Sequence, residues 1–453
     1  MVIKRVSFIE AGSPGQHIFS KFPIPRLGAV LLSTILRDKG YEVKVFVEDI
    51  ASPDWSFIEK SDLVCVSTIT STAIKAYDIG KRLKALGIPT IIGGPHPTFQ
   101  PDEALQYADF VIRGEGEHSL IELIEHLEKG KPALAAIKGL SYKDKHGETV
   151  HNPSREFLED LDSLPNPDLS LVHNWQRSNT YPVSTSRGCP FDCKFCSVIH
   201  MFGRNYRHKS VAATLKELSY AASVSKATKF IVDDNFTANK RRTREILKGM
   251  MSDGIKTTWS AQVRTDVARD RELLRLMADS GCHTLYIGFE SINPRTLEAY
   301  NKKQGLEDII SCIRMIKDHG IHIHGMFVLG ADTDDIETIT DTADFAKKYE
   351  IDTVQFLILT PLPGTPLFDE MLESGRLFHT EWSKYDVQHV VFKPLLMSPE
   401  TLQIDTFRAM GRFYSWEYIF RHLIRFDFHY AAIGVYGKMA VHKSLKAVLP
   451  TKK

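Results

Sequence analysis

Thr185-Ser186-Arg187-Gly188-Cys189-Pro190-Phe191-Asp192-Cys193-Lys194-Phe195-Cys196 follows the short apolar run Tyr181-Pro182-Val183 and holds three of the chain's six cysteines. Their spacing is C-x3-C-x2-C. Three thiolates on one tight loop can face a single point, and three ligands on a four-iron cubane leave one iron open to an exchangeable ligand. A structural zinc site fits poorly, because it takes four ligands, usually as paired C-x2-C or with histidines at set distances; His200 and His208 are the nearby completions. A purely electron-transferring cluster takes a fourth cysteine. Cys282 at a strand start and Cys312 mid-helix read as packing residues, as does Cys65 inside Leu63-Val64-Cys65-Val66. A redox group with a vacant position points to chemistry more than scaffolding.

Lys and Arg number 57 against 56 Asp and Glu, a net charge of +1 over 453 residues. That balance argues against a general nucleic-acid binder, which would carry a basic excess. Apolar residues make up 43%, enough for sizeable cores in two or three domains. Clustered cysteines without a signal peptide predict a reducing, cytoplasmic setting and not a disulfide framework. No run of roughly 18 apolar residues predicts a spanning helix.

Upstream of the loop, apolar strands alternate with helical periodicity over residues 1–137. Strands are expected at Val6–Ile9, Glu42–Val47, Leu63–Ser67, Thr90–Ile92 and Phe110–Ile112. Helices are expected at Arg26–Lys39, Ala73–Leu86, around Glu103, and at Ser119–Lys129. This alternation means a doubly wound parallel sheet, which binds ligands at the carboxyl ends of its strands. The loops there are Gly12 to His17, Ser67 to Thr72 (with Thr70), Gly93-Gly94-Pro95-His96-Pro97-Thr98, and Arg113-Gly114-Glu115-Gly116-Glu117. Their glycines allow close backbone approach, and their hydroxyls and amides can bind a polar tail. Residues 138–180 read as a β-hairpin around Asp144-Lys145-His146-Gly147 and a Pro-rich linker.

Residues 181–375 contain six β-α steps, with strands near Pro182–Ser186, Lys229–Val232, Thr257–Ala261, Thr284–Gly288, Ile323–Leu329 and Thr353–Leu359. Six such steps match a partial barrel, whose chemistry sits at the carboxyl ends of its strands. The candidates there are the cysteine loop, Asp233-Asp234, Gln262 and Arg264, Gly288-Phe289-Glu290, and Pro361-Leu362-Pro363-Gly364-Thr365. Arg264 reads equally as a structural ion-pair partner, and Asp233-Asp234 as a helix cap. His322 and His324 share one side of a strand near its start, where structural roles are expected.

The Cys189-x3-Cys193-x2-Cys196 spacing, with Phe195 before the last cysteine, resembles the signature of the radical S-adenosylmethionine (SAM) superfamily. Arg187-Gly188-Cys189-Pro190 and Pro361-Leu362-Pro363-Gly364-Thr365-Pro366 resemble its cobalamin-dependent branch. Gly-Gly-Pro-His followed by Gly-Glu-Gly-Glu resembles that branch's N-terminal cobalamin-binding domain. The resemblance covers roughly residues 1–380. It implies an α/β fold: a Rossmann-like cobalamin-binding domain, then a partial (β/α)6 TIM barrel and a helical C-terminal region.

By this resemblance, Cys189, Cys193 and Cys196 would hold a 4Fe-4S cluster whose open iron binds SAM. Reductive cleavage would yield a 5′-deoxyadenosyl radical that abstracts hydrogen from an unactivated carbon. Phe195 would pack on the adenine; Gly288 and Glu290 would contact the methionine part or ribose, and Gln262 and Arg264 the ribose or carboxylate. Many members have Gly-Gly-Glu where this chain has Asp233-Asp234, so Asp234 would replace that glutamate or the pair would face cobalamin or substrate. Ser67, Thr70, Gly93, Gly94, His96, Gly114 and Gly116 would line the cobalamin. Relatives with a lower cobalt ligand carry D-x-H-x-x-G; here His17 has no matching Asp or Gly, which implies cobalamin without a His ligand.

The resemblance further implies a C-methyltransferase acting on a small molecule or lipid, reduced by a flavodoxin or ferredoxin. The alternatives are a non-methylating radical enzyme (ring formation, rearrangement or C–C bond formation) and a non-enzymatic cobalamin or redox sensor, which has no need of an open iron. A tRNA methylthiotransferase would bring three further N-terminal cysteines, and only Cys65 is there.

Residues 376–453 change character. From Arg412 to Pro450, nine aromatics (Phe413, Tyr414, Trp416, Tyr418, Phe420, Phe426, Phe428, Tyr430 and Tyr436) interleave with Arg412, Arg421, Arg425, Lys438, Lys443 and Lys446. One reading is a helical domain packing aromatics on the barrel and capping the site. The other is an interfacial membrane segment, which would suit a lipid or isoprenoid substrate and a peripheral location at the inner face of the membrane.

Overall fold

The computed structural model describes residues 2–13, 15 and 23–448; His17 lies outside them. By contacts the chain forms two compact units, and the division runs through the cysteine loop. Cys189 belongs to the first with most of the chain before it and residues 197–213, while residues 190–196 belong to the second with the rest.

The first unit runs β1 (Arg5–Glu10), α1 (Leu27–Asp38), β2 (Glu42–Val47), α2 (Trp55–Ile58), β3 (Leu63–Ser67), α3 (Ala73–Ala85) and β4 (Thr90–Gly93). It continues through α4 (Pro95–Phe99), α5 (Pro101–Ala104), β5 (Phe110–Ile112), α6 (Glu117–Lys129), β6 (Leu140–Lys143) and β7 (Thr149–His151). The strands order as β2-β1-β3-β4-β5-β6-β7. The first five are parallel and the β6–β7 hairpin adds antiparallel to that edge. Val6 to Ile9 and Leu63 to Val66 are buried throughout, as a sheet covered on both faces requires. The order 2-1-3-4-5 is flavodoxin-like, with its ligand crevice outside the carboxyl ends of the strands. β8 (Thr180–Val183), β9 (Ser186–Arg187), α7 (Val198–Phe202) and β10 (Arg207–His208) follow, β10 pairing antiparallel with β9.

Among the described residues, the second unit holds five strands in one sheet. That unit runs α8 (Val211–Val224), β11 (Thr228–Ile231), α9 (Lys240–Ser252), β12 (Trp259–Val263), α10 (Arg271–Asp279), β13 (Cys282–Glu290) and α11 (Pro294–Ala299). It continues through α12 (Leu306–Asp318), β14 (His322–Leu329), α13 (Ile336–Lys348), β15 (Thr353–Ile358) and α14 (Pro366–Glu373). β11 to β15 pair in parallel, each with the next. On β13, Leu285, Ile287 and Phe289 are buried while Thr284, Tyr286 and Gly288 are half-exposed. The period of two separates a face packed under helices from a face that lines the barrel. β12 begins two residues after its expected start: Thr257 and Thr258 have strand-forming side chains, but the Thr257 carbonyl is instead packed where a Cβ on Gly281 would come within 2.4 Å.

The C-terminal region is helical, with α15 (Pro399–Phe413), α16 (Trp416–Ile424) and α17 (Phe428–Val448). α15 follows the edge strand β15 from its carboxyl towards its amino end: Leu402 abuts Gly330 after β14, while the Tyr414 hydroxyl donates to the Val354 carbonyl and accepts from its N–H at 3.1 Å. Both backbone groups of an otherwise open edge are thereby satisfied. The Tyr418 hydroxyl donates to the Asp352 carbonyl at 2.6 Å, so α16 lies at the amino end of β15. This corrects the expectation that the aromatic tail caps the site. Its buried rings cover the opposite end of the strands, because that is where the edge leaves backbone groups and apolar surface open.

Candidate active site

The cysteine loop is held at both ends. On the first unit's side, Arg187 reaches Glu115 at 2.9 Å and Glu117 at 2.6 Å, and Arg207 reaches Glu115 at 2.8 Å. Burial opposes the charge on Arg187, but Glu117 and Glu115 more than restore it and its pKa is raised. Burial likewise works against the Glu115 charge, but Arg207 and Arg187 hold its carboxyl below the usual range. The acids of the Arg113–Glu117 loop, read from sequence as part of a ligand cradle, thus serve to anchor the strand that starts the cysteine loop. Gly188 takes φ +81°, with the Asn205 carbonyl 2.4 Å from where a Cβ would stand, so only glycine fits there.

On the second unit's side, the Cys196 N–H donates to the Cys193 carbonyl at 3.0 Å and closes a turn. Phe195 meets Tyr300 edge-on, centroids 4.9 Å apart. The Asn301 side-chain amide donates to the Asp192 carbonyl at 3.0 Å. Lys302 pairs with Glu290 at 2.7 Å, both nearly buried, and Gln304 donates to the Phe289 carbonyl at 2.9 Å while accepting from Thr265 at 2.7 Å. Residues 300–304 therefore clasp the cysteine loop to the end of β13. Sequence reasoning missed them, since they form no motif and lie over a hundred positions from the loop they hold.

The other expected SAM contacts fall at neighbouring strand ends. Gln262 is half-buried on β12, its amide 3.5 Å from the Asp233 carbonyl. Arg264 stacks on Phe191, 3.8 Å from the ring centroid, a contact with the cysteine loop. Asp233 is buried and Asp234 solvent-accessible, yet surrounding protein and the Asp233 charge push the Asp234 carboxyl up to about 7. Glu290 takes φ +63°, and its carboxylate folds back to within 2.3 Å of where a Cβ on Gly288 would sit. The sheet's inner face adds Tyr286, packed between Phe230 at 5.0 Å and His324 at 4.6 Å, with Met326 and Gln355 in register beyond. The period-two alternation already visible along β13 was the signal for Tyr286. His324 bonds Thr353 at 2.7 Å and burial lowers its pKa to about 4; His322 bonds Asp352 at 2.8 Å. Both are tied into the structure, as expected.

In the first unit, Ser67 ends β3 and Thr70 is buried in the turn after it. Gly94 takes φ +110°, and a Cβ there would stand 2.4 Å from the Thr68 carbonyl. Thr98 joins two loops: its hydroxyl donates to the Gly94 carbonyl at 2.8 Å and accepts from the Gly114 N–H at 3.0 Å. Gly116 precedes α6. His96 is fully buried, its Nε2 3.0 Å from the Tyr77 hydroxyl, and burial lowers its pKa to about 4. It sits beneath the Gly93-Gly94 turn as part of that turn's foundation.

Comparison with known proteins settles the family. The radical SAM superfamily profile matches residues 183–362 and the B12 binding domain profile residues 19–124. An uncharacterized methyltransferase of Pyrococcus horikoshii is 34% identical over 387 residues, covering 82% of this chain and 83% of that protein. The chain belongs to the cobalamin-binding branch of the radical SAM superfamily. The bacteriochlorophyllide d C-12(1)-methyltransferase of Chlorobaculum tepidum is 31% identical, covering 78% of this chain and 74% of its own. The radical SAM methyltransferase TsrM of Kitasatospora setae shares the fold across 98% of this chain and 100% of its own, with a TM-score of 0.74 at 16% identity.

A radical SAM enzyme of this branch works with a 4Fe-4S cluster, SAM and cobalamin, and the residues present suit them. Cys189, Cys193 and Cys196 are half-buried, whereas Cys65, Cys282 and Cys312 are buried. Burial pushes those three thiols up, Cys312 to about 12, which makes them inert packing groups. Among the described residues no three His, Cys, Asp or Glu side chains are already drawn together as a metal site, so the fit rests on donor chemistry. For cobalamin, Gly93 ends β4 and Gly114 follows β5, and a Cβ on Gly114 would meet nothing within 4 Å. Gly94→Ala is expected to destabilise the protein by about 1–3 kcal/mol, because φ +110° excludes a side chain. It is also expected to lower corrinoid retention after purification, read by absorbance; unchanged stability and retention would count against this role for the turn.

Proposed function

We propose that this enzyme methylates an unactivated carbon of an amphiphilic small molecule. The observation that carries the reading is kinship across most of the chain with proteins named as methyltransferases. The three groups when bound supply reductive radical formation and a transferable methyl. The chain's residues bind, orient and shelter. Cys189, Cys193 and Cys196 hold the cluster. Phe195, backed by Tyr300, offers a ring face for adenine. Asp234, Gln262, Arg264, Gly288 and Glu290 form the polar rim for SAM, with Asp234 standing where many members have the glutamate of Gly-Gly-Glu. Ser67, Thr70 and the four glycines line the corrinoid, above His96. Phe230, Tyr286 and Met326 give the barrel an apolar wall suited to a hydrocarbon portion of the substrate.

Electrons would come from a reduced flavodoxin or ferredoxin, and the amphiphile would be met at a membrane surface. Among the described residues no helix is long and apolar enough to cross a membrane. To test the reaction, reconstituted enzyme is incubated anaerobically with methyl-labelled SAM, reduced flavodoxin and a lipid extract of the source cells. Label should enter the extract alongside 5′-deoxyadenosine. Deoxyadenosine with an unlabelled but altered lipid would favour a non-methylating reaction instead.

A further inference from the structure

The C-terminal helices bury one set of aromatic side chains and expose another. On α16, Tyr418, Ile419 and His422 are buried, while Trp416, Phe420, Leu423 and Ile424 face out. The outer four recur at helical spacing, so α16 is apolar on the face where a surface helix carries polar residues. The exposed strip continues through Phe426, 80% exposed, and Phe428, 64%, with Met439 of α17 at 67%. Trp416 neighbours Phe420, and Phe426 neighbours Phe428. The strip is firmly mounted: Tyr418 is bonded to the start of β15, and the Asp427 N–H closes the α16–α17 turn on the His422 carbonyl at 2.9 Å.

Its charge is one-sided. Arg425 stands between Ile424 and Phe426, and Lys438 lies 5.2 Å over the Trp416 ring. Glu350 faces Lys317, Arg421 and Arg425 together, so three cations share one carboxylate. Of the nearby acids, Glu417 is paired with Lys347 at 2.9 Å and Asp427 with His422 at 3.3 Å. α17 contains Lys438, Lys443 and Lys446 and no acidic residue.

We propose that the outer face of α16, the α16–α17 turn and the adjoining side of α17 form a docking surface for an anionic lipid membrane. Aromatic and aliphatic side chains would enter the headgroup–acyl boundary while the lysines and arginines stay at headgroup level. A second copy of the chain is the less suitable occupant, since a two-fold contact through this face would set its cations against themselves. The surface lies at the amino ends of the strands, away from the site, so it would fix where the enzyme resides and would not itself deliver the amphiphile of the proposed function.

The test needs neither substrate nor turnover, so it is separable from the methylation reading. Full-length reconstituted protein is sedimented with vesicles of phosphatidylcholine alone or with added phosphatidylglycerol. The parent is expected to partition onto the anionic vesicles and to be released as salt rises. Phe426→Ser with Phe428→Ser should lower partitioning by at least about tenfold, and Arg425→Glu with Lys438→Glu by about a hundredfold. Iron content and the thermal melt of the phenylalanine variant should stay unchanged, because both of its side chains are exposed. The proposal is overturned if the parent stays in the supernatant, if the variants bind as the parent does, or if light scattering shows a dimer that the phenylalanine variant dissociates.

Discussion

Replacing Cys193 by alanine is expected to remove the cluster and with it all SAM cleavage, the largest single-residue effect in this chain. A cubane held by three thiolates has no protein ligand to spare. The buried cysteines cannot substitute: Cys282 and Cys312 are locked in strand and helix, with thiols that burial keeps protonated. Iron should fall from roughly four per chain to near none, and 5′-deoxyadenosine should become undetectable by chromatography. Corrinoid retention should persist, because the loops proposed to hold it, built on β3 to β5, do not depend on Cys193. Cys282→Ala is the control, expected to keep its iron and lose only packing. A Cys193→Ala protein that cleaves SAM like the parent would overturn the assignment of the loop.

The elements of this fold are legible in sequence because each strand is short, apolar and bounded by turn residues, and each helix repeats its apolar positions at helical spacing. Phe110–Ile112 and Glu42–Val47 appear at their expected limits. Strand β12 starts two residues later than its sequence suggests because Thr257 and Thr258 carry strand-forming side chains, while pairing with β13 begins only at Trp259. The site was legible only where it is local. The cysteine loop and the glycine turns announce themselves within a few residues. The anchors do not: Arg187 meets Glu115 and Glu117 some seventy positions away, and Asn301 meets Asp192 across 109. Neither pairing has a motif, since an acid or amide at these positions reads as ordinary loop composition. The tail was half legible. Its aromatics were visible in the sequence, but not that half face inward, because α16 is apolar on both sides.

Lys302→Met is expected to destabilise the second unit by about 3–5 kcal/mol, the usual effect of leaving a buried charge without its partner. Glu290 is held in a left-handed conformation that costs a non-glycine residue about 1–3 kcal/mol. What holds it there is Lys302 at 2.7 Å, together with the space Gly288 leaves beside the carboxylate. Without the ammonium, the carboxylate has reason to swing out, the β13 terminus relaxes, and Tyr300 and Asn301 lose their grip on the cysteine loop. Lower iron content should therefore accompany the lower melting temperature. Removing both charges in Glu290→Gln with Lys302→Met should recover most of the stability, because the orphaned charge is gone. It should not recover SAM affinity if Glu290 contacts SAM, so titrating SAM into the reconstituted double variant separates the structural role from the binding role. A Lys302→Met protein that melts with the parent and keeps its iron would show that the clasp does not depend on this pair.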